Sequence, residues 1–231
     1  MPSSTRSIVA TMTLTVLAGT AAAGAWGPGG KPKDPPPPPA PCYPSDVTVI
    51  DSSGVRTVST PACATGSQTL DVAGSTAPWD PNINPTMTFA ADYNAATPAV
   101  AVNIATLGVQ PGEYIAVACI GGTTNAGGLP NTGCDGLNIE PFGPTNDVYQ
   151  PACGTYYPSR YVDSSLYPVY LFQILGSFTT DAGVIVGKPF AVTSSTQNVA
   201  VPTGATAVQF GFNECLYSDN STAPLTVKLS Y

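Results

Sequence analysis

The segment GFNECLYSDNS, residues 211 to 221, gathers Glu214, Asp219 and Asn220, with Asn213 beside them, in a chain in which only 9% of residues are charged. Carboxylate and amide oxygens on one loop are what a calcium ion takes, because a hard cation of that size prefers roughly 6 to 8 oxygen ligands. Side chains of Glu214, Asp219 and Asn220 would supply several, and a carbonyl between them another. The same residue types also suit an ordinary turn in which Asp219 and Asn220 bond their own backbone. Asn220-Ser221-Thr222 is in addition a match to the N-glycosylation sequon, a short pattern that recurs by chance.

Composition narrows the remaining chemistry. The chain holds 0 histidines, which removes the commonest transition-metal ligand and the usual general base at neutral pH. It carries 7 Lys and Arg against a formal charge of -7, with no basic cluster, so the electrostatic footprint of a nucleic-acid partner is missing. A glycoside hydrolase would work through two carboxylates, and no obvious acid pair stands outside the 211–221 segment. There is no G-x-S-x-G elbow either. The chain is therefore not expected to be an enzyme.

The elements that must position these residues begin after a leader. Residues 1–25 have the layout of a secretory signal peptide: Arg6, an apolar run from Ile8 to Leu17, then small residues up to Ala25. That run is short of the roughly 20 residues a spanning helix needs, and no later segment could span a membrane either, so a released, extracellular protein without a membrane span is expected. Residues 26–45, containing WGPGGKPKDPPPPPAP, read as a proline-rich linker that favours extended polyproline II. Six cysteines, Cys42, Cys63, Cys119, Cys134, Cys153 and Cys215, fit three disulfides in an oxidising compartment. Proximity along the chain pairs Cys42 with Cys63 and Cys134 with Cys153, leaving Cys119 for Cys215.

Residues 46–231 show recurrent strand signals and no helical period. DVTVI (46–50) and VRTVST (55–60) read as a hairpin. PAVAVNIATLGV (98–109) leads to Gln110-Pro111-Gly112-Glu113, whose Pro and Gly positions suit a type II turn, and EYIAVACIGG returns as the next strand. From 121 to 165 the pattern dissolves into a Gly-, Pro-, Asn- and Tyr-rich insertion far longer than an ordinary connection. Strands resume with YPVYLFQILGSF. Val208, Phe210 and Phe212, then Leu225, Val227 and Leu229, alternate with small or polar residues, so two half-buried antiparallel strands are expected to flank the acidic loop. The fold class these signals imply is all-β, an antiparallel sandwich with a long disulfide-tied insertion and the loop at one end.

VAGSTAPWD (72–80), QPGEYIAVACIGG (110–122), LYPVYLFQILGSF (166–178) and PTGATAVQFGFNECLYSDNS (202–221) together resemble the bacterial calcium-dependent galactose-binding lectins of the LecA (PA-IL) type and their secreted relatives. The likeness covers most of the chain from about Leu70 onward. It implies a jelly-roll-like sandwich and a calcium ion completed by two hydroxyls of a bound galactoside. Carried over residue by residue, it places Glu214 where the family has aspartate, and Asp219 and Asn220 at the paired side-chain positions. The carbonyls of Leu216 and, from far upstream, Asn125 complete the set. With two sugar hydroxyls these make about seven oxygens. The family's sugar-touching histidine has no counterpart here. In its place tyrosines of the insertion, Tyr149, Tyr156, Tyr157 and Tyr161, with Tyr156 and Tyr157 foremost, would stack on a pyranose ring beside Asp219 and Asn220, or would pack the insertion onto the sandwich.

The resemblance thus implies a secreted calcium-dependent carbohydrate-binding protein, with a glycan or glycoconjugate as partner and homo-oligomers open to it. A second reading keeps the sandwich in an extracellular structural or adhesion protein, with calcium only as a staple.

Overall fold

The computed structural model describes residues 47–51, 54–58, 66–90, 92–138, 143–166 and 168–231, the first two segments as backbone. The leader, the proline-rich linker and the expected Cys42–Cys63 pair lie outside the described residues. Within them the protein is a two-sheet, almost entirely β structure.

Twelve strands run in chain order β1 (Val47–Asp51), β2 (Gly54–Val58), β3 (Ser67–Ala73), β4 (Val100–Asn103), β5 (Tyr114–Gly122), β6 (Tyr149–Gln150), β7 (Thr155–Tyr156), β8 (Ile174–Thr179), β9 (Ile185–Val192), β10 (Gln197–Ala200), β11 (Ala207–Phe212) and β12 (Pro224–Ser230). One sheet has the order β2-β1-β10-β5-β12-β3 and the other β4-β11-β8-β9, while β6 and β7 form a separate ribbon. All neighbours are antiparallel except β1 and β10. Strand alternation aims Ile115 and Val117 of β5 and Leu225, Val227 and Leu229 of β12 at Val208, Phe210, Phe212, Ile174 and Phe178 of the facing sheet, and these residues form the main core.

The hairpin expected near residue 50 is the β1–β2 pair. The turn at 110–113 has Gly112 at φ 93° with the Glu113 amide donating to the Gln110 carbonyl at 3.0 Å, which is what glycine at the third position of a type II turn allows.

Three local expectations are corrected. The strand read over 98–109 stops at Asn103, whose side chain caps a 3-10 turn (Ile104–Leu107), and β5 then enters the opposite sheet rather than returning beside β4. The strand read from residue 167 begins only at Ile174, because Phe172 takes a left-handed φ of 60° and the Gln173 amide closes a turn on the Tyr170 carbonyl. Finally, β11 is not half-buried. Its outward residues Gln209 and Gly211 lie under the segment containing Ala77, Pro78 and Trp79, with Gln209 Nε2 donating to the Pro78 carbonyl at 3.0 Å. A side chain at Gly211 would run into the Ala77 and Pro78 backbone, so glycine lets that segment lie flat on the strand. Trp79, Phe89, Val162, Val169, Leu175 and Tyr217 make a second core on this outer face.

The disulfide pairing also differs. Cys119 joins Cys134 and Cys153 joins Cys215, with Cα separations of 5.4 and 5.9 Å, in place of the expected Cys134–Cys153 and Cys119–Cys215. The chain leaving β5 folds back on itself through mutual backbone bonds between Thr124 and Thr132, which returns Cys134 to Cys119. The turn between β6 and β7 in turn presents Cys153 to Cys215. The insertion is thus tied once to its own root and once to the loop after β11. Among the described residues no helix is long and apolar enough to cross a membrane. Both features are compatible with an extracellular protein.

Candidate functional site

The connection from β11 to β12, residues 213–223, carries the chain from one sheet to the other at an end of the sandwich. Asn213 anchors its start and is fully buried. Its Nδ2 donates to Thr145 Oγ1 at 2.7 Å and to the Tyr170 carbonyl at 2.9 Å, and its Oδ1 accepts from the Ser159 amide at 2.9 Å. One amide therefore fastens two turns of the insertion, at Thr145 and Ser159, and the Tyr170 turn that follows it to the end of β11.

Glu214 folds back over its own backbone, with Oε1 accepting from the amides of Cys215 at 2.6 Å and Leu216 at 3.3 Å. Tyr217 turns inward and donates from Oη to the Phe212 carbonyl at 2.8 Å. Asp92, from the segment that covers the outer sheet face, then caps the loop: its two carboxylate oxygens accept from the amides of Tyr217 at 3.0 Å and Ser218 at 2.8 Å. Asp92 gave no signal in the sequence, where it is a single acid in an aperiodic stretch.

The second half of the loop meets the root of the insertion. The Asp219 carbonyl accepts from the Gly127 amide at 3.2 Å, and the Ser221 amide donates to the Asn125 carbonyl at 2.8 Å. Asn220 Nδ2 donates to the Gly74 carbonyl at 2.8 Å. A side chain at Gly127 would run into the Asp219 carboxylate, so this approach needs glycine, which here also has a left-handed φ of 49°. The structure thus brings Asn125 against the Asp219–Ser221 stretch, on the same loop as Glu214 and Leu216. It also engages the sequon asparagine through its side-chain nitrogen, the atom a glycan would require.

Electrostatics single out Glu214. It is 6% exposed, and burial pushes its carboxyl up to about 8; the two amide bonds act the other way, and the charges of Asp219 and Asp92 add to the rise. Burial likewise lifts the Tyr217 phenol well above its usual range, with Glu214 adding to it.

Whether these residues fit a cation can be judged from the donors. Asn220 Oδ1 is buried and has no hydrogen-bond partner, and the same holds for Thr124 Oγ1 one residue before Asn125. Buried polar atoms are normally satisfied, so an orphaned amide oxygen on a loop with a destabilised carboxylate is the kind of gap that a cation or an ordered water fills. The Asn125 carbonyl, already bonded once, retains a second lone pair. Among the described residues no group of three or more His, Cys, Asp or Glu is arranged to hold a metal ion. A cation here would therefore lean on amide and main-chain oxygens as much as on carboxylates. Those hard donors suit calcium.

The two foremost of the tyrosines expected to meet a sugar part company. Tyr157 is 5% exposed, belongs to the main core and has its Oη bonded by Gln150 Nε2 at 3.0 Å, so it offers no ring face to a ligand; that expectation is corrected. Tyr156 is half-buried, and the Arg160 guanidinium lies 3.8 Å from its ring centroid, covering one face.

No known protein family, curated protein or solved structure matches this chain, and the likeness to the galactose-binding lectins rests on the motifs quoted above.

Proposed function

We propose that the chain is an exported, non-catalytic protein that binds a glycan with the help of a calcium ion at the β11–β12 loop. The side chains of Glu214, Asp219 and Asn220, with the carbonyls of Leu216 and Asn125, would hold the ion. Bound there, calcium would present open coordination positions to sugar hydroxyls. The observation that carries this reading is the buried, unpartnered Asn220 Oδ1 on a loop that also gathers the Asn125 carbonyl and the buried Glu214. An amide oxygen in that state gains most from a cation, because it already lacks the water it would otherwise lose. Supporting it are the sandwich, the disulfides and the leader-like N-terminus.

A second reading, in which calcium only staples the loop of a structural or adhesion protein, is favoured by one observation: Tyr157 is buried and Tyr156 has a face covered by Arg160. An array of immobilised glycans, probed with the purified protein in calcium and in chelator, separates the two. Binding that chelator abolishes supports the first. A calcium-stabilised protein that binds no glycan supports the second.

A further inference from the structure

The β6–β7 ribbon contributes nothing to the loop's oxygen set, yet it holds an aromatic side chain in water. Tyr149 is 51% exposed, whereas every other described tyrosine is buried or half-buried, and Val148 beside it is 41% exposed. A single exposed apolar residue needs no explanation. Here, however, the surroundings fix the ring's position. Tyr149 meets Tyr156, its partner across the ribbon, edge to face at a centroid separation of 5.3 Å and an interplanar angle of 74°. Arg160 covers another part of Tyr156, and its Nε stands 3.7 Å from Asp147 Oδ1. Asp147 itself takes a left-handed φ of 55°, which aspartate tolerates better than most side chains, in a turn closed by the Val148 amide on the Thr145 carbonyl at 3.2 Å.

The chain is anchored on both sides of this turn. Asn146 Oδ1 accepts from the Val169 amide at 2.8 Å, and Thr145 is held by Asn213 and Ser159. Gln150 bonds the buried Tyr157, and the turn of the ribbon is joined to the β11–β12 loop through Cys153–Cys215. The result is a surface on which the solvent-open Tyr149 ring and the Arg160 guanidinium both contact Tyr156, the guanidinium pairs with the Asp147 carboxylate, and a disulfide ties the ribbon to the loop already described.

We propose that Tyr149 is the stacking platform of a carbohydrate subsite, with Asp147 and Arg160 bonding the hydroxyls of a hexopyranose laid on its ring. The C–H face of a pyranose is apolar and matches an aromatic face, while its rim of hydroxyls asks for fixed acceptors and donors, which a carboxylate and a guanidinium supply. A tyrosine already held by Tyr156 loses little freedom on binding, so more of the contact appears as affinity. The inference rests on the carbohydrate-binding part of the proposed function and not on the calcium ion.

The test uses the full chain on an array of immobilised galactosides, glucosides and mannosides, in calcium and in chelator, with Tyr149→Ala, Tyr149→Phe and Asp219→Ala alongside. Tyr149→Ala is expected to weaken binding by about tenfold or more at an unchanged melting temperature, and Tyr149→Phe, which keeps the ring, to retain it. Tyr149→Ala binding like the unsubstituted protein would overturn the subsite, and so would the absence of binding to every sugar on the array. Failure of the two proposals is distinguishable. Binding lost in chelator and in Asp219→Ala but kept in Tyr149→Ala leaves the calcium reading and removes the platform; the opposite pattern leaves the platform and removes the calcium.

Discussion

Replacing Asn213 by alanine is expected to loosen the packing of the insertion on the sandwich and lower stability. The amide is fully buried and accepts from the Ser159 N–H, which the substitution leaves without its partner, while the Tyr170 carbonyl keeps the Gln173 amide at 3.2 Å. Thr145 Oγ1 loses one bond but keeps Ser159 Oγ and the Val169 carbonyl, each at 3.0 Å. A buried donor left unpaired costs about 1–3 kcal/mol, and with the two donated bonds and the volume also lost the substitution amounts to about 2 kcal/mol or more. That is a large part of the roughly 5–15 kcal/mol by which such domains are stable. Urea unfolding followed through the fluorescence of buried Trp79 would read it as a fall in midpoint. Asn213→Asp keeps an acceptor for Ser159 but loses both donated bonds and buries a charge, so it should cost at least as much. If both variants unfold within about 1 kcal/mol of the unsubstituted protein, the amide does not hold the insertion and the reasoning is wrong.

Other outcomes follow from the same geometry. Tyr217→Phe removes the buried bond to the Phe212 carbonyl and should lower stability by about 1–2 kcal/mol, measurable by the same titration. In chelator, stability should fall as pH rises from about 4.5 towards about 8. Over that range the unfolded chain releases the Glu214 proton while the folded one keeps it, so the unfolded state binds fewer protons and the slope is negative. Glu214→Gln should flatten that slope, and an unchanged profile would exclude Glu214 as its source. Peptide mapping of the non-reduced protein should recover Cys119 linked to Cys134 and Cys153 linked to Cys215, and finding Cys134 linked to Cys153 would contradict the fold of the insertion.

What the sequence disclosed and withheld follows from how local each signal is. The alternation of Leu225, Val227 and Leu229 placed β12 because one face of that strand meets the core and the other meets water. The same alternation in β11 misled, since its outer face is covered by residues 77–90, and nothing periodic in that stretch announces that it lies on a sheet. The type II turn was legible because proline and glycine act on their own backbone. Disulfide partners were not, because proximity along the chain ignores the fold-back that returns Cys134 to β5. Of the site residues, Glu214, Asp219 and Asn220 stood out as polar residues in a charge-poor chain, and Asn125 came through the lectin likeness alone. Asp92 and the role of Asn213 had no local signature. Both act on partners brought near by the tertiary fold, the amides of Tyr217 and Ser218 for one, and for the other two turns of the insertion and the Tyr170 turn after it.

The most direct test of a cation at the β11–β12 loop is thermal unfolding of the metal-free protein against added calcium, with Asp219→Ala as control. Calcium binding to the folded state alone raises stability by about 2.7 kcal/mol at a hundred times its dissociation constant, so the melting temperature should climb with calcium in the unsubstituted chain and stay level in Asp219→Ala. Superimposable melting curves with and without calcium would contradict the assignment of Glu214, Leu216, Asp219, Asn220 and Asn125 as its ligands.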